Sequence, residues 1–142
     1  MQANATSKWL LILGSINMFL AVALGAFGAH ALKAGLPPDL LAVYHTANQY
    51  HLYHALGLFA VAVSAAGFRP SRLFGLSGAF ILAGITLFSG SLYVLSITGQ
   101  RWIGMLTPFG GTAFMIAWLL LAAGVWRGRK PQRASTPNLY RN

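Results

Sequence analysis

Long apolar runs alternate with short polar or chain-breaking segments along the sequence, and the alternation repeats four times. The runs cover about 9–30, 46–66, 73–97 and 102–126. Each is long enough to cross a bilayer core, which takes about 20 helical residues. Lipid cannot satisfy the backbone of a lone strand, so every run predicts a helix. The separators are LKAGLPPDLLAVYH, GFRPSR and TGQR. The last two are short enough to force antiparallel neighbours. The expected architecture is an all-α membrane protein with four transmembrane helices in an antiparallel up-down bundle. Within the first separator, Pro37-Pro38-Asp39 predicts a helix start, with Pro38 tolerated in the first turn. The second helix then begins outside the hydrocarbon, with Tyr44 and Tyr50 as headgroup-level aromatics.

Composition sharpens this reading. Of the 142 residues, 56% are hydrophobic and 8% charged, where soluble domains carry roughly a quarter charged residues. The length suits one domain. The chain has no cysteine, which excludes disulfides, thiolate metal sites and cysteine nucleophiles. Its one acidic residue is Asp39, so a single chain lacks both paired-carboxylate catalysis and a carboxylate cage for a hard cation.

The net charge of +9 does not predict a nucleic-acid partner, because the basic residues flank the apolar runs and form no separate domain. They act as topology signals. With both termini inside, the cytoplasmic face holds Lys8, Arg69, Arg72, Arg127, Arg129, Lys130, Arg133 and Arg141, and the outer face holds Lys33 and Arg101. The bias predicts an N-in/C-in protein of the cytoplasmic (inner) membrane. Residues 1–8 form a short cytoplasmic N-terminus, 9–126 the membrane domain, and 127–142 a basic, disordered cytoplasmic tail.

The first run ends in LGAFGAHAL, Leu24 to Leu32. Ala29-His30-Ala31 fits a signal-cleavage pattern, but the preceding apolar run exceeds the usual 7–15 residues of a signal peptide. Helix packing explains the small residues better. Ala21, Gly25 and Ala29 recur every fourth position, and Gly28 widens the stripe. Gly90 in the third run and Gly110 and Gly111 in the fourth offer comparable flat surfaces. The runs LGSINMFLAVALGAFGAHAL and LSGAFILAGITLFSGSLYVL align without gaps, an echo that chance similarity between membrane helices explains.

The topology gathers most of the unusual polar residues in the outer leaflet half. His30 ends the first helix there, and Tyr50, His51 and His54 lie in the outer half of the second. Ser89, Ser91 and Tyr93 fall near the outer end of the third, and Thr107 near the start of the fourth. Intramembrane histidines generally face a bundle interior or a water-filled cavity. Three chemistries fit this cluster: hydrogen bonding between helices, a pocket for a ligand or lipid headgroup, and metal or haem ligation through His30 and His54. A closed zinc site lacks its fourth ligand, and no c-type haem attachment motif occurs. Proton-coupled transport lacks an intramembrane carboxylate. A serine–histidine pair lacks an acidic residue to orient it.

LGAFGAHAL, YHLYHALGL, LFSGSLY and TPFGG, in that order, resemble the domain-of-unknown-function family 423 of small bacterial membrane proteins. The resemblance spans about residues 10–126. It rests on Gly25 to His30, on Tyr50 and His54, on Phe88 to Tyr93, and on Thr107, Pro108, Gly110 and Gly111. His45, His51 and the basic tail lie outside it. It implies a four-helix inner-membrane protein and supplies no activity. The expectation is a non-enzymatic accessory, scaffold or lipid-interacting protein without a cofactor. Its partners are membrane lipids and a membrane-protein partner or a second copy. The rival is a small-ligand, cofactor or solute-transport protein using the polar cluster.

Overall fold

A computed structural model of the chain describes residues 4–128. The tail expected to be disordered lies outside the described residues, apart from Arg127 and Gly128. Four helical rods account for the described chain: α1 (Ala5–Leu32), α2 (Pro38–Gly67), α3 (Arg72–Thr98) and α4 (Arg101–Arg127). Two rods contain π-helical winding, at Gly28–Leu32 in α1 and Ile85–Gly90 in α3. The fourth opens as a 3-10 segment, Arg101–Leu106, before turning α-helical at Thr107.

Local chemistry sets the ends. Asn4 caps α1 by accepting the Ser7 backbone N–H at 2.8 Å, and its amide nitrogen donates to the Ala65 carbonyl at 2.8 Å. One side chain thus starts α1 and fastens it to the last turns of α2. Pro38 occupies the first turn of α2, where its missing N–H costs nothing. Ser71 caps α3 through the Leu73 N–H, and α3 stops at Gly99, whose φ of 71° is left-handed. A side chain there would be strained.

Neighbouring rods run antiparallel. Asn48 meets Ala21 and Asn4 meets Ala65 across α1 and α2. Ser77 meets Ala117 and Ser91 meets Thr107 across α3 and α4. α2 joins the two pairs, through Asn48 to Tyr93 of α3 and His54 to Trp118 of α4. The core divides by depth. Leu10, Leu58, Val61, Phe74, Ile81, Ile85, Phe114 and Ala117 form an apolar cluster toward the end carrying Arg69 and Arg72. The half toward Lys33, Asp39 and Arg101 is polar. At that rim Arg101 and Asp39 pair at 3.3 Å, both well exposed, a geometry worth little in stability.

Of the four expected membrane-crossing helices, length and composition alone mark three: α1, α3 and α4. α2 has the length, at 30 residues, but its apolar run is interrupted by His45, Asn48, Gln49, His51 and His54. Most of these lie in the region where α2 packs against the other rods.

The small-residue surfaces are used unevenly. Ala21 is buried, and a Cβ on Gly28 would drive into the Tyr44 ring. A Cβ on Gly110 would strike the Phe88 backbone of α3, so this glycine sets the closest approach of α3 and α4. Gly111 and Gly90 meet only ordinary contacts. Ala29 is exposed, because a stripe of every fourth residue drifts about 40° per step around an α-helix. The packed face follows Ala21, Gly25 and Gly28 instead. We expect Gly110→Ala to destabilise the bundle by about 1–3 kcal/mol and Gly111→Ala to leave it nearly unchanged. Thermal unfolding of the two variants in one detergent checks this.

Candidate functional site

The polar half is built from amides and aromatic hydroxyls that the bilayer cannot satisfy. Asn48 lies on α2 facing both α1 and α3. Its amide nitrogen donates to the Ala21 carbonyl at 2.7 Å and to the Tyr93 hydroxyl at 3.1 Å. One turn earlier on α2, Tyr44 is fully buried, and its hydroxyl donates to the Leu24 carbonyl at 2.7 Å. Tyr44 is therefore an interhelical tie and not the headgroup-level aromatic expected from its position. Its ring lies 5.0 Å from that of Tyr93.

His51 and His54 are both buried, in different surroundings. Asn17 of α1 donates its amide nitrogen to the Leu13 carbonyl at 2.8 Å, which turns its oxygen toward His51 Nε2 at 3.3 Å. An amide oxygen only accepts, so Nε2 carries the proton and Nδ1 presents a lone pair. That Nδ1 and the Ser89 hydroxyl are buried without a protein partner. In the antiparallel register of α2 and α3, with Tyr50 beside Phe88 and His51 beside Tyr93, Ser89 falls at the level of His51.

His54 is fully engaged. Its Nδ1 donates to the Tyr50 carbonyl at 2.8 Å, and the Trp118 indole N–H donates to its Nε2 at 3.3 Å. The carbonyl fixes the tautomer, and the tautomer leaves Nε2 free to accept. Phe114 stacks on the imidazole at 3.3 Å between centroids and 12° between planes. Phe88 and Tyr50 continue the aromatic group, 4.5 Å apart. Both ring nitrogens thus have protein partners.

His30 does not join this network. It is exposed, two residues beyond Gly28 and so on roughly the opposite side of the helix from the packed face. Ser91 and Thr107 do come together: their hydroxyls meet at 3.1 Å, and Ser91 also donates to the Phe88 carbonyl at 2.9 Å. Tyr50 sits at the bundle edge, 39% exposed, with its ring against Phe88. Among the described residues no group of three or more His, Cys, Asp or Glu can hold a metal ion. Sequence reasoning missed Asn48 and Trp118. An amide inside an apolar run was a usable signal for Asn48, whereas Trp118 looks like any membrane-helix tryptophan.

Described residues that are helical in four long, mostly apolar rods, with an internally bonded polar layer, have the structure of an integral membrane protein. The family described as "Protein of unknown function (DUF423)" matches residues 24–111. The chain belongs to that family. It is 51% identical over 119 residues to the UPF0382 membrane protein YwdK of Bacillus subtilis (strain 168), covering 80% of this chain and 93% of that one. It is 40% identical over 119 residues to a UPF0382 membrane protein of Haemophilus influenzae, covering 84% and 94%. The UPF0382 inner membrane protein YgdD of Escherichia coli (strain K12) is 38% identical over 122 residues, covering 86% and 92%. No solved structure matches the chain.

The hydrogen-bond accounting separates two serine and histidine substitutions. His54→Phe strands the Trp118 N–H and the Tyr50 carbonyl interaction, so it should cost about 1–3 kcal/mol. Ser89→Ala removes a buried hydroxyl that has no protein partner, so it should be neutral or stabilising by up to about 1 kcal/mol. Denaturant titration of both variants in the same detergent reads the difference.

Proposed function

We propose that this chain is a non-enzymatic accessory or scaffold protein of the inner membrane, acting through lipid and partner-helix contacts on its outside surface. One observation carries the reading: His54, the most chemically promising buried group, spends both nitrogens on Tyr50 and Trp118 inside the bundle. The polar layer then serves to specify helix positions, a use of intramembrane hydrogen bonds that suits a scaffold.

In this reading all four rods span the membrane and both termini are cytoplasmic. The exposed side of α2 is polar at His45, Thr46 and Gln49 and becomes mainly apolar from Tyr53 through Leu56, Ala60 and Val63. Asn48, His51 and His54 face protein, so α2 needs less hydropathy than a helix bathed in lipid. Trp9 and Trp126 are exposed at the end with Lys8, Arg69, Arg72 and Arg127, and Trp102 is exposed at the opposite end. Such girdles mark membrane interfaces, and the heavier basic end belongs inside. The Escherichia coli relative is named an inner membrane protein, which supports that location.

A second reading has one observation in its favour. His51 Nδ1 and the Ser89 hydroxyl are a buried acceptor and a buried donor at one level, the pair a small polar ligand would use.

Two measurements test the proposal. The chain has no native cysteine, so single cysteines report topology cleanly. Gly35→Cys and Gln100→Cys should react with a membrane-impermeant thiol reagent in intact spheroplasts, and Pro70→Cys only after permeabilisation. Labelling of Pro70→Cys in intact spheroplasts would overturn the orientation. Native mass spectrometry of the wild-type protein should show no stoichiometric metal, haem or polar small molecule. Such a ligand, lost in Ser89→Ala or His51→Leu, would establish the second reading instead.

A further inference from the structure

α4 meets α2 in two places. Around His54 and Gly57, the Phe114 and Trp118 rings pack against α2. At the far end, the Arg69 N–H donates to the Gly128 carbonyl at 3.2 Å, which ties the turn after α2 to the end of α4. Between these contacts a groove of about 470 Å³ opens, lined by Phe68, Trp118, Leu121, Ala122, Val125 and Trp126. The α4 positions follow the i, i+3, i+4, i+7, i+8 spacing of one helix face. They run for about 12 Å along the rod, close to the roughly 15 Å that one leaflet contributes to a hydrocarbon core of about 30 Å.

The groove does not end in neutral surroundings. Phe68 and Trp126, which line one end, are followed directly by the exposed Arg69 and Arg127, and the backbone bond from Arg69 to Gly128 joins the two segments. The sole acidic residue of the sequence, Asp39, sits at the opposite end paired with Arg101. An apolar channel close to one leaflet long, with two exposed arginines and no carboxylate near one end, matches one occupant in both parts. Its length fits an acyl chain, and its rim fits a phosphate carrying net negative charge.

We infer that this groove is a selective site for an anionic phospholipid, with an acyl chain along Trp118–Trp126 and the headgroup phosphate at Arg69 and Arg127. The inference rests on the reading of this chain as a lipid-contacting membrane protein and names the lipid class. Bidentate guanidinium–phosphate bonds supply the headgroup preference, and the two arginines add the attraction that basic side chains have for anionic lipid. Trp118 joins the groove to the core, since its ring lines the groove and its N–H is held by His54. The site's wall is thereby fixed in place before lipid arrives.

The test uses the full chain with Trp9→Phe and Trp102→Phe, so that Trp118 and Trp126 alone report. It is reconstituted in phosphatidylcholine vesicles containing a small fraction of bromine-labelled lipid, which quenches tryptophan on contact. Brominated phosphatidylglycerol should quench about threefold or more beyond brominated phosphatidylcholine at the same mole fraction. Adding Arg69→Gln and Arg127→Gln should bring that ratio to about one, with thermal unfolding unchanged because both side chains are exposed. Ala122→Phe, which fills the groove, should lower quenching by both lipids. Equal quenching by both lipids before the arginines are changed means ordinary annular lipid and overturns the inference. So does quenching that falls as protein is raised at fixed lipid composition, which means that a second copy covers the groove. Either result leaves the cysteine-labelling pattern intact, so failure of this site is distinct from failure of the proposed topology.

Discussion

A side-chain amide inside a membrane helix has no water to bond, so protein must supply its partners. Asn48 is where this constraint acts on the whole molecule. Its two N–H groups reach α1 and α3 at once, through the Ala21 carbonyl and the Tyr93 hydroxyl. The geometry closes only if the three helices hold a single rotation and depth relative to one another. Gly25 contributes by leaving room for the Asn48 oxygen, which a Cβ at that position would meet at 2.9 Å. The Tyr44 hydroxyl repeats the tie one turn away. The apolar half has single ties from Ser77 to the Ala117 carbonyl and from Asn4 to the Ala65 carbonyl, but no side chain there bonds two neighbouring helices at once as Asn48 does.

The aromatic group around His54 does comparable work between α2 and α4. Few direct contacts join those two rods, and the imidazole supplies both a stacking surface for Phe114 and an acceptor for Trp118. A residue that could have been a ligand is instead a mortise between helices. This arrangement also explains how α2 carries so many polar groups inside a membrane protein: the neighbours that bond them also shield them.

The helices were legible in the sequence because apolar runs of this length have one solution in lipid, and Pro38 marked the start of α2 through its missing N–H. Chemistry within the bundle was less legible. His51 and His54 stood out as polar residues in an apolar run, but spacing alone does not say which nitrogen meets which partner. His30 was misplaced with them because depth along a helix was known and rotation about it was not. Rotation decides the matter, since two residues separate Gly28 against Tyr44 from His30 on the exposed side. The π-helical segments left no composition signal at all.

The π-helical turn at Ile85–Gly90 divides α3 at the boundary between the apolar and polar halves of the core. A wider turn holds more residues than an α turn, so the residues after it are wound back relative to a continuous α-helix. α3 is therefore two azimuthal settings on one axis. Up to Gly84 it offers its surface to the Phe114 side of α4, and from Ser91 it aims Tyr93 at α2 and Ser91 at Thr107. In evolutionary terms such a turn behaves as a retained one-residue insertion. Losing a residue there would swing the whole last third of the helix by about 100°, while leaving its hydropathy profile looking the same.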